Sequence, residues 1–431
     1  MSEISSTLGD TQDFVAIDFG GNRIKAYYVK DGKGSMISDT SSNKSFPTVI
    51  SFLDKIRSWG FTAHLTDKST IIEREKDFLF TKFESKLKSQ KFLIDPITDN
   101  EGKVAFEVNF GDKKKIIHPI ALLGYLINEI CCMSPDSTVT DIVMVIPYWY
   151  TEEQKIAIKT AASIYDKSVF MISNTQGQVY DYIIRQTQHS TPPHVAAFID
   201  FGYTNFVCST YNIQPKSIRL LSRDKLDIGG RDITFALCDY ILGRIQKEIK
   251  TPEVQDTVKL IKLNNQAADS MAFRNAVKNL KENLSSSHQI VFNPLGVSTG
   301  SKISLKVDRS ELEKLPIIQD LKTKINTLIK NVRQGIAGKG KLNAIYLQGG
   351  SSKIPIIKKV VATSFGVEES KVTISRPDEC FAEGAAFYHA KKRQHPKQRE
   401  HFKINDDLVT KLKNQEEELN QIAENELKAK I

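Results

Sequence analysis

Two segments of this 431-residue chain end an apolar run on an aspartate and follow it with a glycine-bearing bend. In the first, Val15 to Asp18 leads into Gly20, Gly21 and Asn22. In the second, Ala196 to Asp200 leads into Gly202, Tyr203 and Thr204, so that Ile17-Asp18-Phe19-Gly20 is echoed by Ile199-Asp200-Phe201-Gly202. Bends of this kind aim backbone N–H groups at one point, and nucleotide phosphates suit such groups. Two facing copies would make a phosphate clamp. Asp18 and Asp200, each beside its bend, are placed to hold the waters of a magnesium ion, which takes few carboxylates and keeps most of its hydration. A single Asp-x-Gly bend is commonplace. The weight rests on the echo and on two later glycine pairs, Gly229-Gly230 and Gly349-Gly350, the second followed by Ser351 and Ser352.

Elements able to position these residues follow from the pattern around them. Each aspartate closes one strand and the run after the bend reads as a returning strand, through Ala26 to Val29 in one copy and Phe206 to Tyr211 in the other. Asp141 to Pro147 is a near-continuous apolar strand, and Thr151-Glu152-Glu153-Gln154 then opens a helix, with Thr151 as cap and Gln154 at the capping-box position. After the second copy the pattern predicts a helix from Asp232 to about Ile249, a polar helical stretch around Asn264 to Leu284, and a hairpin from His288 to Val307. Leu342 to Leu347 is a buried strand running into the last glycine pair. The expected fold is α/β: two duplicated lobes, each with an insertion, at 14–194 (insertion about 53–114) and 195–390 (insertion about 227–304). Residues 1–13 precede them as a flexible N-terminus.

Beyond Ala390 a basic stretch leads to a charged helix from Asp406 to Ile431. Leu408, Leu412, Leu419 and Ile422 share a heptad-like seam, interrupted by Gln415. This helix either pairs with a partner helix or is docked on its own domain or partly frayed.

Composition excludes several classes. Hydrophobic residues at 40% and charged residues at 26% argue against a disordered or fibrous chain. The net charge of +9 comes from scattered lysines rather than one basic block, so no nucleic-acid partner is expected. The five cysteines form no C-x-x-C pair, which reads as neither a disulfide framework nor a zinc site. The N-terminus lacks the basic patch and apolar run of a secretory signal, and no apolar stretch is long enough to span a bilayer; the expectation is a cytoplasmic protein without a membrane partner. Gly335 to Lys339 is no P-loop, because the earlier glycine is replaced by Arg333 and the hydroxyl residue after the lysine by Gly340.

Five segments in order resemble the nucleotide-binding domain of the seventy-kilodalton heat-shock chaperones, the DnaK family, whose fold is shared with actin and sugar kinases. They are VAIDFGGNRIKAYYV with SFPTVISF, then TDIVMVIPYWYTEEQKIAIKTAASI, AAFIDFGYTNF, LDIGGRDITFALCDYI, and NAIYLQGGSSKIPIIKKVV with RPDECFAEGAAFYHA. The resemblance runs from about residue 14 to 390. It implies an actin-like ATPase fold of two ribonuclease H-like lobes, with ATP/ADP and Mg2+ as cofactors. It implies that Gly20, Gly21 and Asn22 form one phosphate loop and Gly202, Tyr203 and Thr204 the other. Gly349, Gly350, Ser351 and Lys353 would pack against the adenosine, Lys281 and Ser285 would meet base and ribose, Asp378 would close the same pocket, and Gly230 would be a further nucleotide-binding residue. Asp18 and Asp200 would hold the metal through waters, and Asp200 with Lys82 would be the catalytic pair.

The chain departs from the family on the catalytic side. Gly21 and Asn22 stand where the family has two threonines, and Tyr203 stands where it has a glycine. Thr175, in Ser173-Asn174-Thr175-Gln176, replaces a carboxylate near the metal, and Val207 replaces a second acidic position. Near the base, Lys278 and Glu282 stand where the family has opposite charges. These substitutions are similar to those of the divergent one-hundred-and-ten-kilodalton branch and its oxygen-regulated relative, which act as exchange factors and holdases. Three functions follow as alternatives: an ATP-binding chaperone or co-chaperone with nucleotide-gated lobe closure and weak or absent hydrolysis, an active ATPase chaperone, or a nucleotide-free scaffold or exchange factor. The expected partners are a conventional heat-shock chaperone or client polypeptides. The intact Gly349-Gly350-Ser351 segment favours the first.

Overall fold

The computed structural model describes residues 13–64, 71–73, 94, 96–186, 193–214, 217–263, 268–293, 304–336, 338, 340–377, 379–393 and 404–429. Contacts divide the chain into two units, Met1–Ile184 with Phe381–Ile431, and Arg185–Cys380.

The first unit is built on strands β1 (Phe14–Phe19), β2 (Arg23–Lys30), β3 (Lys33–Met36), β4 (Asp141–Ile146) and β5 (Ser168–Ser173), in the order β5-β4-β1-β2-β3. β1 runs antiparallel to β2 and parallel to β4, and β4 runs parallel to β5. β4 is buried along nearly its whole length, which is why it reads as a continuous apolar run rather than an alternating one. Helix α1 (Pro119–Cys132) buries Leu122, Leu123 and Leu126, and α2 (Glu152–Ser163) starts on the expected capping box: Thr151 Oγ1 accepts from Gln154 N at 3.3 Å, and Gln154 Oε1 accepts from Thr151 N at 3.0 Å. Helix α3 is Asn174–Gln186. Between β3 and α1 lie the antiparallel strands Val49–Leu53, Ile56–Trp59 and Ile71–Glu73, and a second set, Ile97–Thr98, Val104–Phe110 and Lys113–Ile117.

The second unit repeats this plan. Strands β6 (His194–Phe201), β7 (Phe206–Gln214), β8 (Ser217–Leu226), β9 (Leu342–Gln348) and β10 (Val372–Ile374) lie in the order β8-β7-β6-β9-β10, with the same alternation of antiparallel and parallel neighbours. Helix α4 (Gly230–Glu248), helix Pro252–Leu263, α5 (Ala268–Asn283) and the hairpin Gln289–Phe292 with Leu305–Asp308 are set between β8 and β9. Helix α6 (Pro316–Gln334) buries Ile318, Leu321, Ile325, Leu328, Ile329 and Val332, one face at helical spacing, and α7 (Pro355–Phe365) follows β9.

The chain then returns to the first unit. In α8 (Cys380–Arg393) the backbone at Gly384 lies against Gly177 and Asp181 of α3, so residues 381–390 cluster with the first unit and not with the 195–390 segment expected from the sequence. Helix α9 (Asp406–Ala429) docks on the same unit, the second of the two alternatives for it. Leu412 and Leu419 of the seam are buried, with Leu408 and Ile422 packed beside them. Gln415, the seam's interruption, donates through Nε2 to the Ile116 carbonyl at 2.7 Å. Glu416 takes a bidentate grip on Arg57 at 2.7 and 2.8 Å and accepts from the Tyr165 hydroxyl at 2.6 Å. Among the described residues no helix is long and apolar enough to cross a membrane.

Candidate functional site

In the first unit the bend after β1 is a three-residue turn closed by Gly20 N donating to the Arg23 carbonyl at 3.1 Å. Thr48 holds it from the side: its hydroxyl donates to the Gly20 carbonyl at 3.0 Å and its N–H to the Asn22 carbonyl at 3.1 Å. A turn this short places Asp18 opposite Lys25 in the antiparallel register, and Lys25 Nζ forms an ion pair with Asp18 Oδ2 at 3.3 Å, the side chains only 13% and 15% exposed. Thr175 is fully buried on the first turn of α3. That turn is organised by its neighbours: Gln176 Oε1 accepts from Ser173 N and Oγ at 3.2 and 2.9 Å, and Asn174 Oδ1 accepts from Tyr148 N at 3.2 Å. No carboxylate stands at either Thr175 or Val207.

In the second unit the equivalent bend closes in the same way, Gly202 N donating to the Asn205 carbonyl at 2.9 Å. The carbonyls of Gly202 and Tyr203 accept from Gly230 N and Arg231 N at 3.0 and 2.9 Å, so the loop is fastened to the start of α4. Thr204 Oγ1 donates to Asn205 Oδ1 and Asn205 Nδ2 to Asp227 Oδ1, both at 2.7 Å. Ser351 Oγ donates to the Gly202 carbonyl at 2.8 Å. Gly349, with φ +85°, passes so close to the end of β6 that a Cβ there would sit 2.5 Å from the Phe201 carbonyl oxygen and 2.6 Å from Asp200 Oδ1. A Cβ on Gly230 would lie 2.2 Å from Ser351 Oγ and 3.3 Å from Lys281 Nζ. Glycine at 230 thus lets a hydroxyl and an ammonium close directly onto the backbone at this point.

Lys281 is buried on α5 and donates to the Gly230 carbonyl at 2.7 Å and to Thr234 Oγ1 at 2.8 Å. Both acceptors are neutral. Burial pushes its ammonium down to about 8, with nearby Lys278 adding to the drop and Glu282 opposing it. A buried cation whose acceptors are both neutral is an expensive arrangement, and an anionic or electron-rich ligand relieves it.

The second unit therefore brings Asp200, Gly202, Gly230, Lys281, Gly349 and Ser351 into one contiguous cluster. Ser285 lies one helical turn past Lys281, its hydroxyl donating to the Lys281 carbonyl at 3.3 Å, and Gly350 and Lys353 are exposed on the 3-10 turn Gly350–Lys353. Gly20, Gly21, Asn22 and Asp18 belong to the first unit. Lys82 and Asp378 lie outside the described residues. Lys25, Thr48, Thr234, Asn205 and Asp227 are the participants that sequence reasoning did not name as site residues. Their only signal is position, on the strands and turns flanking the glycine motifs.

The glycine-lined cradle with its ammonium and hydroxyl fits a nucleotide. Asp18, expected to hold a metal's waters, is ion-paired with Lys25, and among the described residues no three His, Cys, Asp or Glu side chains gather for direct ligation of a metal.

The family model described as Hsp70 protein matches residues 14–425. A heat shock protein homolog of Lachancea kluyveri is 26% identical over 395 residues, covering 86% of this chain and 54% of the relative. A heat shock protein homolog of Saccharomyces cerevisiae is 25% identical over 390 residues, with the same coverage of 86% and 54%. Heat shock 70 kDa protein 14 of Mus musculus is 23% identical over 399 residues, covering 90% and 73%. This chain spans about half the length of the Lachancea and Saccharomyces relatives. The duplicated sheets, the paired glycine bends and a family match over most of the sequence agree, and this chain belongs to the Hsp70 protein family, with that family's actin-like ATPase fold.

Proposed function

We propose that this chain binds ATP and ADP and serves as a heat-shock-type chaperone or co-chaperone, with weak or absent hydrolysis, its nucleotide state setting its affinity for a partner. The partner is a conventional heat-shock chaperone or a client polypeptide. One observation carries the nucleotide-binding part: the second unit keeps Lys281 buried as a cation on neutral acceptors, with the Ser351 hydroxyl beside it against the bare backbone of Gly230. Such a cradle recognises the sugar and base side of a nucleotide and is independent of the groups that cleave phosphate.

Weak hydrolysis follows from what stands on the other side of the reaction. Cleaving a terminal phosphate takes a positioned water and groups that stabilise developing charge, and loss of one such group costs roughly 3–4 kcal/mol of transition-state stabilisation. Here Thr175 is a buried hydroxyl and Val207 is a buried hydrocarbon in positions where the family has acids. Thr204 directs its hydroxyl to Asn205.

Calorimetric titration with ATP and with ADP, each with magnesium, together with phosphate release on the same sample and Asp200→Asn as the control, tests this reading. Binding that the control weakens, without release, is the expected outcome. Release at the rate of an active family member would replace it with the ATPase reading, and no heat at millimolar nucleotide would leave the scaffold.

A further inference from the structure

We propose that Gln348 accepts a hydrogen bond from the water shell of a divalent cation held at Asp200, supplying the oxygen that the hydrocarbon at Val207 does not. For its role the inference rests on the nucleotide-binding reading above; for its geometry it uses the second unit alone. It begins with an orphaned atom. Gln348 closes β9 with 1% of its surface exposed, and its Oε1 has no hydrogen-bond partner. A buried carboxamide oxygen without a donor has given up its water for nothing, a state that few polar groups in a folded chain keep.

Strand register fixes its neighbours. Val207, Asp200 and Gln348 form one row across β7, β6 and β9. Side chains alternate along a strand, and Ile199, Cys208 and Leu347, the residues next to that row, enter the hydrophobic core of the unit. The row therefore lies on the opposite face. Two residues back on that face, Phe198 and Tyr346 stack with their rings 5.8 Å apart, so side chains of β6 and β9 meet there in register. The Asp200 carboxylate leans toward β9: a Cβ on Gly349, the residue after Gln348, would lie 2.6 Å from its Oδ1. Two acceptor oxygens, one charged and one orphaned, thus share the end of the β6–β9 pair. A phosphate brings only more acceptors. Water held by a divalent cation brings donors, because the metal polarises its O–H bonds, and Mg2+ sheds such water reluctantly and is commonly held through it. An oxygen within hydrogen-bond reach of that water contributes without touching the ion. The β7 flank of Asp200 offers buried hydrocarbon at Val207, and the β9 flank offers an amide oxygen. The second oxygen has moved across the sheet and lost its charge.

Mn2+ alone is the probe, read by loss of its free-ion paramagnetic resonance signal and by water-proton relaxation, on the full chain as the natural protein, Gln348→Met, Gln348→Glu and Asp200→Asn. The natural protein is expected to hold a Mn2+ that Asp200→Asn releases and that enhances proton relaxation, the sign of retained water. Gln348→Met should weaken that site about threefold or more, and Gln348→Glu, which charges the same oxygen, should tighten it about tenfold. Equal affinity in the natural protein, Gln348→Met and Gln348→Glu overturns the inference. So does Mn2+ binding that Asp200→Asn leaves unchanged, or no binding at all. Because no nucleotide is added, these outcomes are separate from ADP binding, which titration in EDTA reads on its own. Circular dichroism shows whether each variant is folded; if Gln348→Glu is not, Gln348→Met and Asp200→Asn still decide.

Discussion

The hairpins β1–β2 and β6–β7 share one backbone plan and differ in electrostatics. Both turns close with a glycine N–H on a carbonyl three residues later, both end their first strand on an aspartate, and both aspartates face the residue seven positions on. In the first unit that residue is Lys25, and its charge is met by Asp18. In the second it is Val207, and a cation buried in that unit, Lys281, is met among the described residues by a carbonyl and a hydroxyl. Duplication preserves main-chain geometry, because the turn and register are set by backbone hydrogen bonds. Side chains on that frame are free to diverge, and the two copies have divided the polar work: a neutralised acid in one, an underpartnered base in the other.

The units also differ in what braces them, and here the largest mutational effect is expected. The first unit is clasped by α9 through Glu416 on Arg57, side chains 4% and 7% exposed, with Arg57 stacked 3.6 Å over the Tyr125 ring. Removing one member of a buried pair strands the other, so Glu416→Ala should cost roughly 3–5 kcal/mol. Both tryptophans, Trp59 and Trp149, lie in the first unit, so the loss should appear as a lower urea midpoint by tryptophan emission. An unchanged midpoint would mean that the Arg57–Glu416 pair contributes no net stability and that α9 is held by its buried leucines.

Gly349 sharpens the contrast on the other side. Its counterpart in the first unit, after β4, is the Ile146-Pro147 step, whereas Gly349 adopts φ +85° against the Phe201 carbonyl. Gly349→Ala combines a backbone conformation that residues with a side chain avoid with a direct clash, and should cost about 3 kcal/mol. The transition seen by circular dichroism should move while tryptophan emission stays near its natural midpoint.

Lys281 gives a pH-dependent test. Its folded value of about 8 lies below the ordinary lysine value of 10.5. Below pH 8 both folded and unfolded chains hold the proton, and the folded state carries the full penalty of a buried charge. Between about 8 and 10.5 the unfolded chain binds more protons than the folded one, so stability rises with pH across that window. The natural protein should gain up to roughly 3 kcal/mol relative to Lys281→Met between pH 7 and 10.5, read as the difference between their urea unfolding curves at each pH. A difference that does not change with pH would mean that Lys281 is not buried as a cation.

Much of this was legible in the sequence for a physical reason: turns, caps and buried parallel strands are written locally. The echo of Ile17-Asp18-Phe19-Gly20 in Ile199-Asp200-Phe201-Gly202 located both hairpins, and Thr151 with Gln154 marked the start of α2. The Asp18–Lys25 pair was within reach, since a three-residue turn determines the register, but reading it required counting across the turn and not along the strand. The Arg57–Glu416 clasp was not legible. Its members stand 359 positions apart, and a glutamate on a charged helix carries no mark of which arginine it will meet. Lys281 was named through a family resemblance, and its neutral acceptors, Gly230 and Thr234, are likewise set by tertiary packing of α4 against α5.

The smallest effect concerns the helices that follow the equivalent strands β4 and β9. In the first unit, α2 begins on a reciprocal capping box, Thr151 with Gln154. In the second, α7 begins with Pro355 at its first turn and has no side-chain cap, Ile354 being buried instead. A proline needs no acceptor for an N–H it lacks, whereas Thr151 satisfies a donor that would otherwise face water. Thr151→Ala should therefore cost about 1 kcal/mol, and Gln154→Ala no more than that. Trp149 stands two positions before the cap, so its emission will follow this end of α2 directly. An unaltered tryptophan midpoint in Thr151→Ala would mean that packing of the buried face of α2, through Ala157, Ile158 and Ala161, sets the helix start without help from the cap.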